Sequence, residues 1–256
     1  MESIIRKEVK AGLARTGRRK SDFLTSEDLA CLPPIVQKYL HYTGVVGKPK
    51  VHNMNVTFKG RIRSSAESGW MELNASQYSF FDVPARLFHM NTQMPKDGLF
   101  VHKNVQASVN FTVERLFSVV TDKKNTMDQA ETVTLLKEMC VMAPATLTDS
   151  NIKWETIDDL TVKATFRNGD ITINALLFFN EQGQLVNFSS NDRYEAQSEY
   201  KEQNGIRLAT KTSLICHRPV DQVDHTADNS QPANYFCYGE FVLYGIEYNC
   251  KKIKEV

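Results

Sequence analysis

The chain has 256 residues, 41% of them hydrophobic and 24% charged, and its 31 basic and 30 acidic side chains leave a formal net charge of +1. That balance excludes a dedicated nucleic-acid binder, which carries a strongly basic domain, and equally a disordered acidic chain, which combines low hydrophobicity with high net charge. The five cysteines (Cys31, Cys140, Cys216, Cys237 and Cys250) include no C-x-x-C pair. This removes a structural zinc site and thioredoxin-type redox chemistry and predicts reduced, mostly buried thiols.

Residues 1–20 hold seven basic side chains against Glu2 and Glu8, a local net charge of +5 that leaves −4 for the rest. Residues 1–24 are therefore read as a basic N-terminal arm ahead of a single domain over 25–256, and residues 1–20 as a surface for peripheral contact with anionic membrane. The opening Met1-Glu2-Ser3-Ile4-Ile5-Arg6-Lys7 lacks the apolar core of a secretory signal, and no run of about 18 apolar residues occurs. The expectation is a cytoplasmic, membrane-peripheral protein without a transmembrane helix.

Thr25-Ser26-Glu27-Asp28 places hydroxyls before acids, as at a helix start. Leu32–Gly44 follows with proline in the first turn, an apolar face at Ile35, Val36, Tyr39 and Leu40, and a glycine to end it, which predicts a short docked helix. From about residue 50 the apolar period shortens to two. Runs around Val51–Ile62, Trp70–Leu73, Tyr78–Phe81, Ala85–Met90, Gly98–His102 and Val105–Phe117 are broken by turn residues, a pattern of antiparallel strands. Asp128–Ala143 interrupts them as a second helix, with an apolar stripe at Val133, Leu135, Leu136, Met139 and Cys140 and a stop at Pro144.

Strands then resume over 152–157, 160–167, 171–180, 185–192, 193–201, 207–216 and 235–248. Asn168-Gly169-Asp170 and Glu181-Gln182-Gly183 read as hairpin turns, Asp158-Asp159 as a turn, and Pro219–Asn234 as an exposed loop. Roughly a dozen strands against two or three helices make an α+β protein: a large, curved, half-barrel-like antiparallel sheet with the helices packed on it.

Phosphate-binding glycine loops, H-E-x-x-H and G-x-S-x-G are all missing. His89 and His102 lie on strands either side of a turn and could meet across a hairpin for acid–base chemistry. Cys216 and His217 are strand neighbours facing opposite ways, a poor dyad. Asp192-Arg193-Tyr194-Glu195 places alternate polar pairs on opposite faces. The aromatics fall almost wholly on strands and could line a lipophilic cavity under helices. They could as well fill a core. The candidate ligand-binding residues are Trp70, Phe81, Phe88, His89, Phe100, His102, Phe179 and Arg193. No catalytic or metal-ligating residue and no cofactor is assigned.

The order of Leu32-Pro33-Pro34-Ile35-Val36-Gln37-Lys38-Tyr39-Leu40, Phe58-Lys59-Gly60, Glu131–Glu138, Ala143-Pro144-Ala145-Thr146-Leu147, Ile152-Lys153-Trp154-Glu155 and Phe178–Leu185 resembles a bacterial family of unknown function, the DUF6544 (formerly DUF6920) type. Members commonly carry an aromatic–proline pair where this chain has Val141-Met142-Ala143. The likeness covers about residues 30–250 and implies no activity. More loosely, the Phe179–Leu185 hairpin is similar to one in bacterial lipoprotein-carrier half-barrels. That likeness implies binding of acyl chains without covalent chemistry. The leading expectation is thus a non-enzymatic protein holding a hydrophobic or lipid-like ligand between a curved sheet and its helices. The alternatives are a hydrolase or isomerase using the same cavity, and a structural or interaction module with a filled core.

Overall fold

A computed structural model of the chain describes residues 2–19, 22–63, 65–92, 97–103, 106–111, 124–190, 193–217 and 235–254. Twelve strands form one sheet: β1 (Asn53–Ile62), β2 (Met71–Phe80), β3 (Ala85–Thr92), β4 (Asp97–Lys103), β5 (Gln106–Phe111), β6 (Ile152–Thr156), β7 (Thr161–Asn168), β8 (Ile171–Phe179), β9 (Leu185–Ser190), β10 (Arg193–Gln203), β11 (Ile206–His217) and β12 (Tyr235–Tyr248). Their order is β5-β4-β3-β2-β1-β12-β11-β10-β9-β8-β7-β6, so β1 and β12 join two meanders and the sheet stays open between β5 and β6. Every pairing is antiparallel.

Curvature follows from where the turns meet. Phe81 and Asp82 in the β2–β3 turn and Asn168 and Gly169 at the β7–β8 turn line one cavity. Between β2 and β8 lie six strand steps, which would span roughly 29 Å in a flat sheet. The sheet must therefore wrap around whatever fills its concave side. Helix α3 (Lys124–Met142) is that filling, touching β5, β8, β9 and β11. Helix α2 (Pro34–Thr43) lies beside it against β11 and the 3-10 turn Pro144–Thr148. The main core joins both helices to the concave residues of β1, β7, β8, β9, β11 and β12.

Helix α1 (Glu2–Thr16) packs on the opposite, convex face, where Val9 and Leu13 meet Tyr78, Phe80, Ala85 and Leu87. A Cβ on Gly12 would stand 2.3 Å from the Phe80 ring, so glycine sets how closely this helix approaches. Arg15 forms a two-pronged pair with Asp82 at 2.7 and 3.0 Å. Asn53 Nδ2 donates to Thr16 Oγ1 at 2.7 Å while Asn53 Oδ1 accepts from the Cys250 N–H at 2.7 Å. The basic N-terminal segment is thereby a helix fastened to the sheet.

Most expected elements recur with shifted ends. The Leu32–Gly44 helix runs from Pro34 to Thr43, and Gly44 takes φ 74° to close it. The signal at Thr25–Asp28 yields only a 3-10 turn, Glu27–Leu29, in which Asp28 accepts from the Thr25 N–H at 2.8 Å. The helix expected from Asp128 begins at Lys124. Asp158 accepts from the Leu160 N–H at 2.9 Å, a turn as expected. Val105, the second half of Val105–Phe117 and all of the loop 219–234 lie outside the described residues.

Candidate ligand-binding site

Strand alternation sorts the sheet residues by face. On β2 the convex positions Tyr78 and Phe80 meet α1, which turns Leu73, Ala75, Gln77 and Ser79 to the concave side. Register adds Arg86, Phe88 and Met90 from β3 and Met54, Val56 and Phe58 from β1. This concave strip divides into a polar end under α3 and an apolar end beyond it.

At the polar end α3 presents Glu131 and Glu138, two turns apart on one stripe. Arg86 Nε donates to Glu138 Oε1 at 2.7 Å and Arg86 Nη1 to Glu131 Oε2 at 3.1 Å. Gln77 Nε2 donates to Glu138 Oε2 at 2.6 Å and to Ser79 Oγ at 2.8 Å. Burial alone would make Arg86 release its proton more readily; the two carboxylates outweigh it and hold the guanidinium above its ordinary pKa. Gln77 Oε1 is buried without a hydrogen-bond partner among the described residues.

At the apolar end Ile62, Leu73, Ala75, Phe88 and Met90 form a cluster separate from the main core, with half-buried Phe58, Met71 and Phe241 at its margin. Among the described residues, no helix residue belongs to it. Gln77 stands opposite Phe88 in the β2–β3 register, so the polar network and the apolar strip abut.

The sequence-chosen residues do not all converge. Phe88 lies at the junction of the two ends, with the Arg86 guanidinium 4.7 Å from its ring centre. Phe100 and His102 are the register partners of Phe88 and Arg86, and their side chains lie outside the described residues. His89 pairs with Leu99, three positions along the ladder from His102, so the two histidines are not cross-strand partners. His89 also alternates with Phe88 and therefore belongs to the convex face. Trp70 packs with Arg61 and Arg63, whose guanidinium carbons stand 4.6 and 4.5 Å from its ring centre, away from the concave strip. Phe179 packs on Tyr39 at 5.5 Å within the main core. Arg193 opens β10 opposite Ser190 and Cys216, and its side chain lies outside the described residues, as do those of Cys216 and His217.

Phe81 lines the cavity under the two turns, a space of about 150 Å³ between α3 residues Leu135 and Met139 and the polar groups Asp82, Asp149, Asn151 and Asn168. It is smaller than a typical small-molecule pocket of roughly 300–1,000 Å³. Among the described residues, no group of three or more His, Cys, Asp or Glu is placed to hold a metal ion, and no helix is long and apolar enough to cross a membrane.

Gln77, Ser79, Arg86, Glu131 and Glu138 went unselected in the sequence, although signals existed. Glu131, Leu135, Glu138 and Met142 share helical spacing with the buried stripe, and Arg86 interrupts the apolar start of its strand between Ala85 and Leu87-Phe88. A charge on a core-facing stripe demands a partner.

No curated protein matches the chain. Among solved structures it is similar to a DUF1329 family protein from Desulfovibrio piger, at 9% identity over 84% of this chain and 91% of that one, with a TM-score of 0.44. A LolA superfamily protein from Nitrosomonas europaea matches at 10% identity over 83% and 93% of the two chains, TM-score 0.44. An outer membrane lipoprotein-sorting protein domain from Vibrio parahaemolyticus matches at 7% identity over 84% and 90%, TM-score 0.39. The profile of a family of unknown function, DUF6544, matches residues 22–224, the greater part of the chain including β1 and β2, the buried Arg86–Glu138 pair and the strands through β11. The chain belongs to that family, DUF6544.

Proposed function

We propose that this protein binds an apolar, lipid-like molecule on the concave face of its sheet, without covalent chemistry. The observation that carries the reading is the apolar strip of Ile62, Leu73, Ala75, Phe88 and Met90, a buried cluster on the concave face that is separate from the main core and includes no residue of a described helix. Apolar surface gains about 25 cal/mol for each Å² withdrawn from water, so an alkyl chain that covers the partly exposed margin and inserts among the buried side chains of the strip is held by area rather than by directional bonds. The partly exposed Phe58, Met71 and Phe241 mark the edge where such a chain enters.

Native mass spectrometry of the purified protein and uptake of an uncharged fluorescent lipid test the reading. Bound lipid or saturable uptake is expected, with uptake blocked in Ala75→Trp, which fills the strip. A protein that emerges bare and takes up no probe overturns the proposal.

A second surface belongs with this reading. Because α1 docks through Val9 and Leu13, its exposed side chains Arg6, Lys7 and Lys10 face away from the sheet. This favours contact with an anionic membrane from which a lipid could be collected. Lys7→Glu with Lys10→Glu should reduce co-sedimentation with phosphatidylglycerol vesicles. Equal sedimentation of variant and parent removes the membrane role and leaves the ligand proposal standing.

A further inference from the structure

Resting on the binding reading above, we infer that the ligand of the concave strip carries a hydrogen-bond-donating head, a hydroxyl or an amine, that is received by Gln77, and that a free carboxylate is disfavoured there. Gln77 is fully buried, and its side-chain oxygen has no partner among the described residues. Its amide orientation is imposed by its neighbour: an ionised carboxylate only accepts, so the Gln77 nitrogen must face Glu138, as it does at 2.6 Å. The same nitrogen also reaches Ser79 at 2.8 Å. A planar amide committed in this way directs its oxygen away from both groups. A buried acceptor without a donor is rare in folded proteins and calls for one.

Position supplies the rest. Ala75 precedes Gln77 on the concave side of β2, and Phe88 is its cross-strand partner, both members of the apolar strip. An amphiphile lying on the strip with its head toward α3 therefore ends at Gln77. The charge around that point is already set. Arg86 is shared between Glu138 and Glu131, so among the described residues one guanidinium stands against two carboxylates. Arg86 directs its Nε and Nη1 at these carboxylates. An incoming carboxylate would meet the carboxylates of Glu138 and Glu131 and a further acceptor, whereas a hydroxyl or ammonium would satisfy the orphaned oxygen.

Hexadecanol, hexadecylamine and hexadecanoate share one chain length and differ only in the head. Their displacement of an uncharged fluorescent lipid from the full-length protein, in mildly alkaline buffer where the acid is ionised, decides the matter. The alcohol and the amine should each displace the probe at least about tenfold more effectively than the carboxylate. Gln77→Leu should bring the alcohol down to the level of the carboxylate while the protein still takes up the probe. If the carboxylate binds as well as the alcohol, the head assignment is overturned and the binding reading survives. If Gln77→Leu keeps the preference, Gln77 is not the acceptor. If the probe itself does not bind, the binding reading has failed and this inference fails with it. Should Gln77→Leu not fold, judged by circular dichroism, the ranking of the three heads on the parent protein still decides.

Discussion

Arg86 and Glu138 meet at 2.7 Å with only 10% and 3% of their side chains exposed, so strand β3 and helix α3 are joined by a charge pair out of reach of bulk water. Taking two charges out of water is expensive, and their attraction offsets that loss only while both are present. Removing one partner leaves the other buried and unpaired. Arg86→Met or Glu138→Leu should therefore each cost about 3–5 kcal/mol. The double variant should cost markedly less than the sum of the singles, because no stranded charge remains at that pair. Urea denaturation of the two singles and the double, read as a coupling energy, measures this; additive losses would show that the pair does not act as a unit.

The C-terminal end of α3 is closed by side chains from elsewhere in the chain. Tyr39 of α2 donates its hydroxyl to the Cys140 carbonyl at 2.7 Å, and Tyr248 of β12 donates to the Met142 carbonyl. The last carbonyls of a helix have no partner within it, and here that end is buried. Tyr39→Phe and Tyr248→Phe each keep the ring and delete one donor, so each should cost about 1–3 kcal/mol, with losses that add because the carbonyls are distinct. Thermal unfolding followed by circular dichroism gives the comparison. A neutral Tyr39→Phe would mean that the carbonyl finds another donor.

Asp82 makes the docking of α1 sensitive to acid. Burial by itself would raise its pKa, but the Arg15 hydrogen bond, the Val83 backbone and the charges of Arg15 and Arg19 together hold it below the ordinary 3.8. A carboxyl with a lowered native pKa binds its proton more weakly when folded than when unfolded. Its stabilisation is accordingly complete above the unfolded value near 3.8 and is lost as the pH falls through the lower native value. Hydrogen exchange in α1 should accelerate relative to the sheet in that acid window. In Asp82→Asn, α1 should already be loosened at neutral pH and change little on acidification. An unchanged acid response in Asp82→Asn would place the sensitivity elsewhere.

Local conformation was legible in the chain wherever it depends on residues a few positions apart. The period of two marked the strands, Asn168-Gly169-Asp170 marked the β7–β8 hairpin, where Asn168 pairs with Ile171, and Pro34 with Gly44 bounded α2. Strand β12 runs from Tyr235 to Tyr248, the bounds its aromatic spacing implied. The count of about a dozen strands, and with it the α+β class, followed from the same signals.

Which faces were covered, and by what, depended on pairings that no local pattern encodes. Alternation separates Gln77 from Tyr78 but does not say that the first lies under α3 and the second under α1. Gln77 and Glu138 are 61 positions apart, and β1 meets β12 across nearly the whole chain. For the same reason the charge arithmetic of the opening residues was sound while their placement was not evident: their surplus of +5 was plain, but that Arg15 would spend its charge on Asp82 came only with the fold. A buried charge is stable solely beside its partner, so Arg86 and Glu138 became intelligible when the sheet curved around α3 and brought them within 2.7 Å.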